Sequence, residues 1–70
     1  MDGWVIVTFP DARNVYVDDV RYGKTNEAFS VPLGTHKFDL DVPANFNPPK
    51  IEVLIDGTPI KPTVVAFLPA

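Results

Sequence analysis

The chain has 70 residues, 46% of them hydrophobic, with no cysteine and a formal net charge of −3. A single domain of this size buries only about 60% of the surface its unfolded chain exposes, so its core is thin, and the missing cysteines exclude disulfide and thiolate-metal staples. No apolar run approaches the roughly 18 residues of a membrane span, and the six basic residues are scattered, so neither membrane insertion nor nucleic-acid binding is expected.

The opening Met1-Asp2-Gly3-Trp4 lacks the cationic and apolar regions of a secretory signal. With Met1 as the native start a cytoplasmic location is expected, and with the chain as an excised domain, the cell envelope or surface. Eight prolines, from Pro10 to Pro69, interrupt every window long enough for an ordinary helix. Between them lie short β-branched and aromatic segments: 4 to 9 (WVIVTF), 14 to 18 (NVYVD), 28 to 31 (AFSV), 36 to 42 (HKFDLDV), 50 to 55 (KIEVLI) and 63 to 68 (TVVAFL), with a short return at 20 to 23. About six or seven strands and essentially no helix are expected.

WVIVTF is apolar on both faces, which places it in the middle of a sheet whose second side is also covered. In NVYVD, Val15 and Val17 point inward while Tyr16 faces away. HKFDLDV has the clearest two-residue period: His36, Phe38, Leu40 and Val42 share one face, and Lys37, Asp39 and Asp41 the other. Ile51, Val53 and Ile55 repeat the inward set, with Leu54 the exception. TVVAFL is mixed like the first segment, but the preceding Pro62 favours an edge or a bulge. Half-wet strands with no helix to cover them must bury their apolar faces on another sheet, so the expected fold is an all-β, small antiparallel β-sandwich forming one domain over residues 1–70.

The connections are written in turn chemistry. Asp56-Gly57 reads as a two-residue type I′ hairpin, because glycine adopts positive φ freely. Asp18-Asp19 stands at the corresponding place between VYV and VRYG, and aspartate also tolerates the left-handed region. In VPLG, proline at the second and glycine at the fourth position suggest a type I turn leading into the strand at His36.

The segments VYVDDVRYGKT, SVPLGTHKFDLDV and FNPPKIEVLIDG together resemble the PEGA domain, a small extracytoplasmic-type β-sandwich. Val15, Val17 and Asp18 match its V-x-V-D-G motif, and Gly23 and Thr25 its G-x-T-P motif. Leu33, Gly34 and His36 fall on or near L-x-P-G-x-H-x-V, and Phe46 and Pro48 approximate the aromatic and proline before the last hairpin. Asp19 stands where glycine is usual, and Asn26 where the family has proline. The resemblance runs from about Trp4 to Leu68 and implies a non-catalytic module of envelope, surface or multidomain proteins, with no catalytic residues to carry over.

The residues themselves point the same way. Asp18-Asp19 lacks the spaced acidic loop that gives a calcium ion its six to eight oxygens, so a turn is expected and no metal site. Asp39 and Asp41, about 7 Å apart along one strand face, have a separation that suits paired carboxylates in glycoside hydrolysis, but spacing alone is a weak signal and a solvated face opposite Lys37 or Lys50 is the expected reading. His36 is the single histidine and is expected to cap the edge of the core. Ser30 and the five threonines show no nucleophile context, and the glycines form no phosphate-cradling run, so neither an enzyme nor a cofactor is expected. The candidate binding residues are the aromatics Tyr16, Tyr22 and Trp4: the two tyrosines either pair across a hairpin or, with Trp4, form a platform for a partner protein or a sugar ring. The expected function is a structural or protein-interaction module that binds another domain or itself. The alternative is a carbohydrate-binding module for cell-wall glycans.

Overall fold

The computed structural model describes residues 2–70. Among them are nine strands and no helix: β1 (Asp2–Thr8), β2 (Asn14–Val17), β3 (Val20–Lys24), β4 (Ala28–Pro32), β5 (Gly34–Leu40), β6 (Phe46–Asn47), β7 (Ile51–Ile55), β8 (Thr63–Ala66) and β9 (Leu68–Pro69). A first sheet has the order β4-β1-β8 and a second the order β3-β2-β5-β7, while β6 and β9 form a short separate ladder. The inward residues of both sheets meet in one core. Val5, Val7, Val31 and Val65 come from the first, and Val15, Val17, Phe38, Leu40 and Ile55 from the second. The expected all-β sandwich is the observed architecture, with nine strands against the six or seven expected; the additional two are β6 and β9, two residues each and too short to show a period.

One pairing departs from the antiparallel expectation: β1 and β8 run parallel, with Val5 opposite Thr63 and Val7 opposite Val65. The reason lies in the β7–β8 connection. Asp56-Gly57 does not make the expected hairpin, and Gly57 keeps a negative φ, because the chain leaves the second sheet here and crosses to the first. Gly57 instead bridges to Trp4, its carbonyl accepting the Trp4 amide at 3.0 Å. A side chain at 57 would collide with the backbone of Trp4 and Thr63, so glycine is required for close approach and not for a turn. The reversal falls later, at Thr58–Lys61, where the Thr58 amide donates to the Lys61 carbonyl at 3.1 Å and the Thr58 hydroxyl accepts the Lys61 amide at 3.0 Å.

Asp18 and Asp19 do form the β2–β3 turn, with φ of 51° and 68°, both in the left-handed region that a type I′ turn requires. VPLG does not form the expected type I turn, because Pro32 still belongs to β4. Only Leu33 separates β4 from β5, the two strands lie in different sheets, and Gly34 takes φ 125° at this corner. Accordingly β5 starts at Gly34, opposite Ile55, two positions before the expected His36. It also ends at Leu40: Asp41 turns its carboxylate onto the Val42 amide at 2.9 Å, and Val42 is 79% exposed where an inward position was expected.

One end of the sandwich is closed by polar pins and aromatic rings. Thr25, the buried polar residue of the core, donates its hydroxyl to the Asp11 carbonyl (2.7 Å) and accepts the Arg13 amide (2.9 Å). The Asn26 side chain donates to the Phe9 carbonyl (2.7 Å), so residues 9–13 are held without a strand of their own. The Arg13 guanidinium lies 5.2 Å from the Phe9 ring and donates to the Pro43 carbonyl (2.9 Å) and to Asn45 Oδ1 (2.8 Å). Phe46 meets Phe9 and Phe67 edge-on, with centroids 6.3 and 5.5 Å apart.

Candidate interaction surface

The two sheets have similar inner faces and very different outer ones. On the second sheet the outward positions are mostly polar: Tyr16 pairs with Arg21 on one side and Asp39 on the other, and Lys37 pairs with Glu52, with Leu54, opposite Thr35 and 57% exposed, the apolar exception. On the first sheet, Ala28, Ile6 and Val64 lie side by side across the three strands, with Trp4 opposite Ser30 and Thr8 opposite Ala66 in the flanking rows. None of these residues is charged. Ile6 and Trp4 are half-buried and Val64 is 64% exposed. The unbroken run WVIVTF predicts a second side that is also covered; the side is apolar as expected, but among the described residues no further sheet lies over it and Val64 stays exposed, because the chain's one other large sheet packs on the inner face.

The edges follow the same division. β3 and β7, at the borders of the second sheet, carry Arg21, Lys24 and Glu52, whereas β4 and β8, at the borders of the first, carry no charged side chain. Edge strands are ordinarily protected against pairing with other chains by charge, proline or bulges. β4 ends in Pro32 and β8 follows Pro62, but the exposed side chains of β8 itself are Val64 and Ala66.

The three aromatics singled out from the sequence are not brought together. Trp4 faces outward from the first sheet and Tyr16 outward from the second, on opposite sides of the sandwich. Nor does Tyr22 pair with Tyr16. A β-bulge shifts the register so that Val15 faces Gly23 and Tyr16 faces Arg21, leaving Tyr22 as the extra residue, 44% exposed. The bulge accompanies close packing between the layers: a Cβ on Gly23 would lie 2.8 Å from the Phe29 ring, so the ring occupies the space a side chain would need. Ile6 and Val64, side by side on the outer face of the first sheet, are not among the aromatic candidates. Their signal was the loss of alternation in WVIVTF and TVVAFL, not any single residue type.

Two carboxylates have unusual surroundings. Asp39 lines an open hollow of about 360 Å³ with Tyr16, Asp19 and Asp41. Burial pushes its pKa above the ordinary carboxylate value against the opposing pull of Lys50, whose Nζ is 3.9 Å away, and its Oδ1 is buried without a hydrogen-bond partner. Asp41, its expected companion, lies beyond the end of β5 and accepts a hydrogen bond from Asn14 at 3.2 Å. Asp18 is held below the usual carboxylate range by its hydrogen bond to His36 and by the Lys37 amide, and His36 is raised in turn by Asp18. The contact between Nδ1 and Oδ2 is 2.6 Å, and Nε2 is 2.7 Å from the Pro32 carbonyl. Among the described residues no group of histidine and carboxylate side chains is arranged to hold a metal ion.

Comparison with known proteins finds no matching family model, no similar curated protein and no similar solved structure.

Proposed function

We propose that this chain is a non-catalytic interaction module, similar to a PEGA domain, that docks on another protein domain or on a second copy of itself through the outer face of its first sheet. The observation that supports this reading is the uncharged surface of Trp4, Ile6, Val64 and Ala66, continuous with the unprotected edge of β8. Strand addition at such an edge supplies main-chain hydrogen bonds, and the flanking apolar face supplies the hydrophobic contribution.

The PEGA reading draws support from Asp19, whose φ of 68° is the backbone region where that family's glycine is at ease, and from His36, which faces the same turn. It is weakened at Asn26. There φ is 66° and the amide donates to the Val7 carbonyl at 2.7 Å, and proline can supply neither.

The test is sedimentation of the purified chain from micromolar to millimolar concentration, alone and with Val64→Lys. A mass that rises with concentration, and that the lysine returns to the monomer, supports docking through this face. A constant monomer mass together with saturable quenching of Trp4 fluorescence by cell-wall glycans favours the carbohydrate-binding alternative.

A further inference from the structure

The imidazole of His36 is placed between two groups that only accept hydrogen bonds. Its Nδ1 lies 2.6 Å from Oδ2 of Asp18 and its Nε2 lies 2.7 Å from the backbone carbonyl of Pro32. A neutral imidazole carries one N–H and can satisfy one of these acceptors, while its other nitrogen would turn a lone pair on the second. Both contacts are satisfied together when the ring carries two protons. Asp18 is in turn set up as an ionised carboxylate, since its other oxygen accepts the Lys37 amide at 3.0 Å.

The two acceptors belong to different layers. Asp18 lies in the β2–β3 turn of the second sheet, and Pro32 ends β4 at the border of the first. His36 sits on β5 immediately after the corner that joins the layers, on the inward face with Phe38 and Leu40, and its side chain is only 14% exposed. Asp18 is the carboxylate that faces the ring. The residue opposite His36 on β7 is the uncharged Val53, and β4 contributes no charged side chain. Lys37, the remaining neighbouring charge, bears on Asp18 and pairs with Glu52 on the opposite face of the strand.

We propose that His36 is a proton-controlled clasp: as an imidazolium it ties the β2–β3 turn to the end of β4, and on losing a proton it keeps Asp18 and releases Pro32. The order of release follows from acceptor strength. A carboxylate holds the remaining N–H more tightly than a backbone carbonyl does, so the lone pair is left facing Pro32. The corner at Leu33–Gly34 then loses this side-chain tie to the second sheet's turn, and the closure of the sandwich at this end becomes sensitive to pH near neutrality. This inference stands apart from the docking reading, because it concerns the corner and not the outer face.

The experiment is a pH titration of the ¹⁵N,¹³C-labelled full chain by NMR, following both ring nitrogens of its single histidine, the Pro32 carbonyl carbon and the Leu33 amide. The expected result is that both ring nitrogens are protonated at pH 6.5, with a midpoint above that of the same histidine in the urea-unfolded chain. The Pro32 and Leu33 signals should move with that same midpoint, and amide exchange at residues 31–35 should rise several-fold above it once intrinsic base catalysis is divided out. Asp18→Asn should lower the midpoint, and His36→Gln should abolish the pH response of Pro32 and Leu33. A singly protonated ring at pH 6.5, a midpoint no higher than in the unfolded chain, or Pro32 and Leu33 signals that ignore the titration would overturn the proposal. The wild-type measurements decide it even if neither variant folds.

Discussion

The first and second sheets share one core yet meet solvent in opposite ways. Inward, both are built from valine, isoleucine, leucine and phenylalanine at alternate positions. Outward, the second presents Tyr16, Arg21, Lys37, Asp39 and Glu52 with Leu54 among them, and the first presents Trp4, Ile6, Val64 and alanines, with Asp2 at its margin. A stable sandwich needs only the inner faces, so the outer composition is set by something other than folding. A face whose centre is uncharged, beside an uncharged edge, favours association more than a charged one does.

The largest effect should come from the shared layer. Phe38→Ala removes a fully buried ring from the second sheet and should cost about 3–5 kcal/mol in denaturant unfolding, enough to unfold a domain of this size in many conditions. A loss below about 1 kcal/mol would mean that the sheets are not packed as described. Next is Thr25→Val, which leaves the Arg13 amide and the Asp11 carbonyl without their partner and should cost about 1–3 kcal/mol; thermal denaturation measures it. Val64→Lys and Leu54→Lys sharpen the contrast between the outer faces. Both positions are exposed and stability should change by no more than about 0.5 kcal/mol in either case, but Val64→Lys alone should abolish any concentration-dependent rise in mass. Equal effects on association would remove the distinction between the two faces.

The smallest effect is the pH dependence of stability. His36 is raised above about 6.5, so its contribution is complete below that value and is lost as pH rises through the folded value. Asp18 is lowered from about 3.8, so its contribution is complete above that value and is lost as pH falls through the folded one. Together they give a plateau between about pH 3.8 and 6.5 that declines on both sides. Asp39, raised by burial, opposes part of this: it favours the folded state at acid pH and that preference fades as pH rises through its folded value. Urea midpoints measured from pH 3 to 9 should show the plateau, and in Asp18→Asn the decline near neutrality should shrink.

Much of this architecture is legible in the residues, and the failures are physical. Alternation fixes which side of β2, β5 and β7 is buried, because a strand has only two faces and one of them must be dry. Asp18-Asp19 is legible as a turn since few residues accept positive φ. Asp56-Gly57 has the stronger hairpin sequence but is used otherwise, because its glycine is needed where Trp4 and Thr63 approach, a contact between distant parts of the chain that local chemistry cannot express. β6 and β9 are too short to carry a period, and Phe46 owes its place to Phe9 and Phe67. The candidate surface is visible in outline as two runs lacking alternation, whereas the bulge that separates Tyr22 from Tyr16 coincides with the close seating of Phe29 over Gly23, a contact between layers that the local sequence does not express. The tie between Asp18 and His36 required knowing that the β2–β3 turn and the β4–β5 corner are neighbours.

The parallel contact of β1 with β8 joins segments separated by nearly the whole sequence. Its formation closes the largest loop available to the chain, so this ladder should be gained late and should place the domain among slow-folding β topologies. Until residues 63–66 arrive, β1 is itself an open edge, with its most hydrophobic segment unguarded. Deleting β8 would therefore do more than shorten a sheet: it would convert the central strand into a template for misassembly.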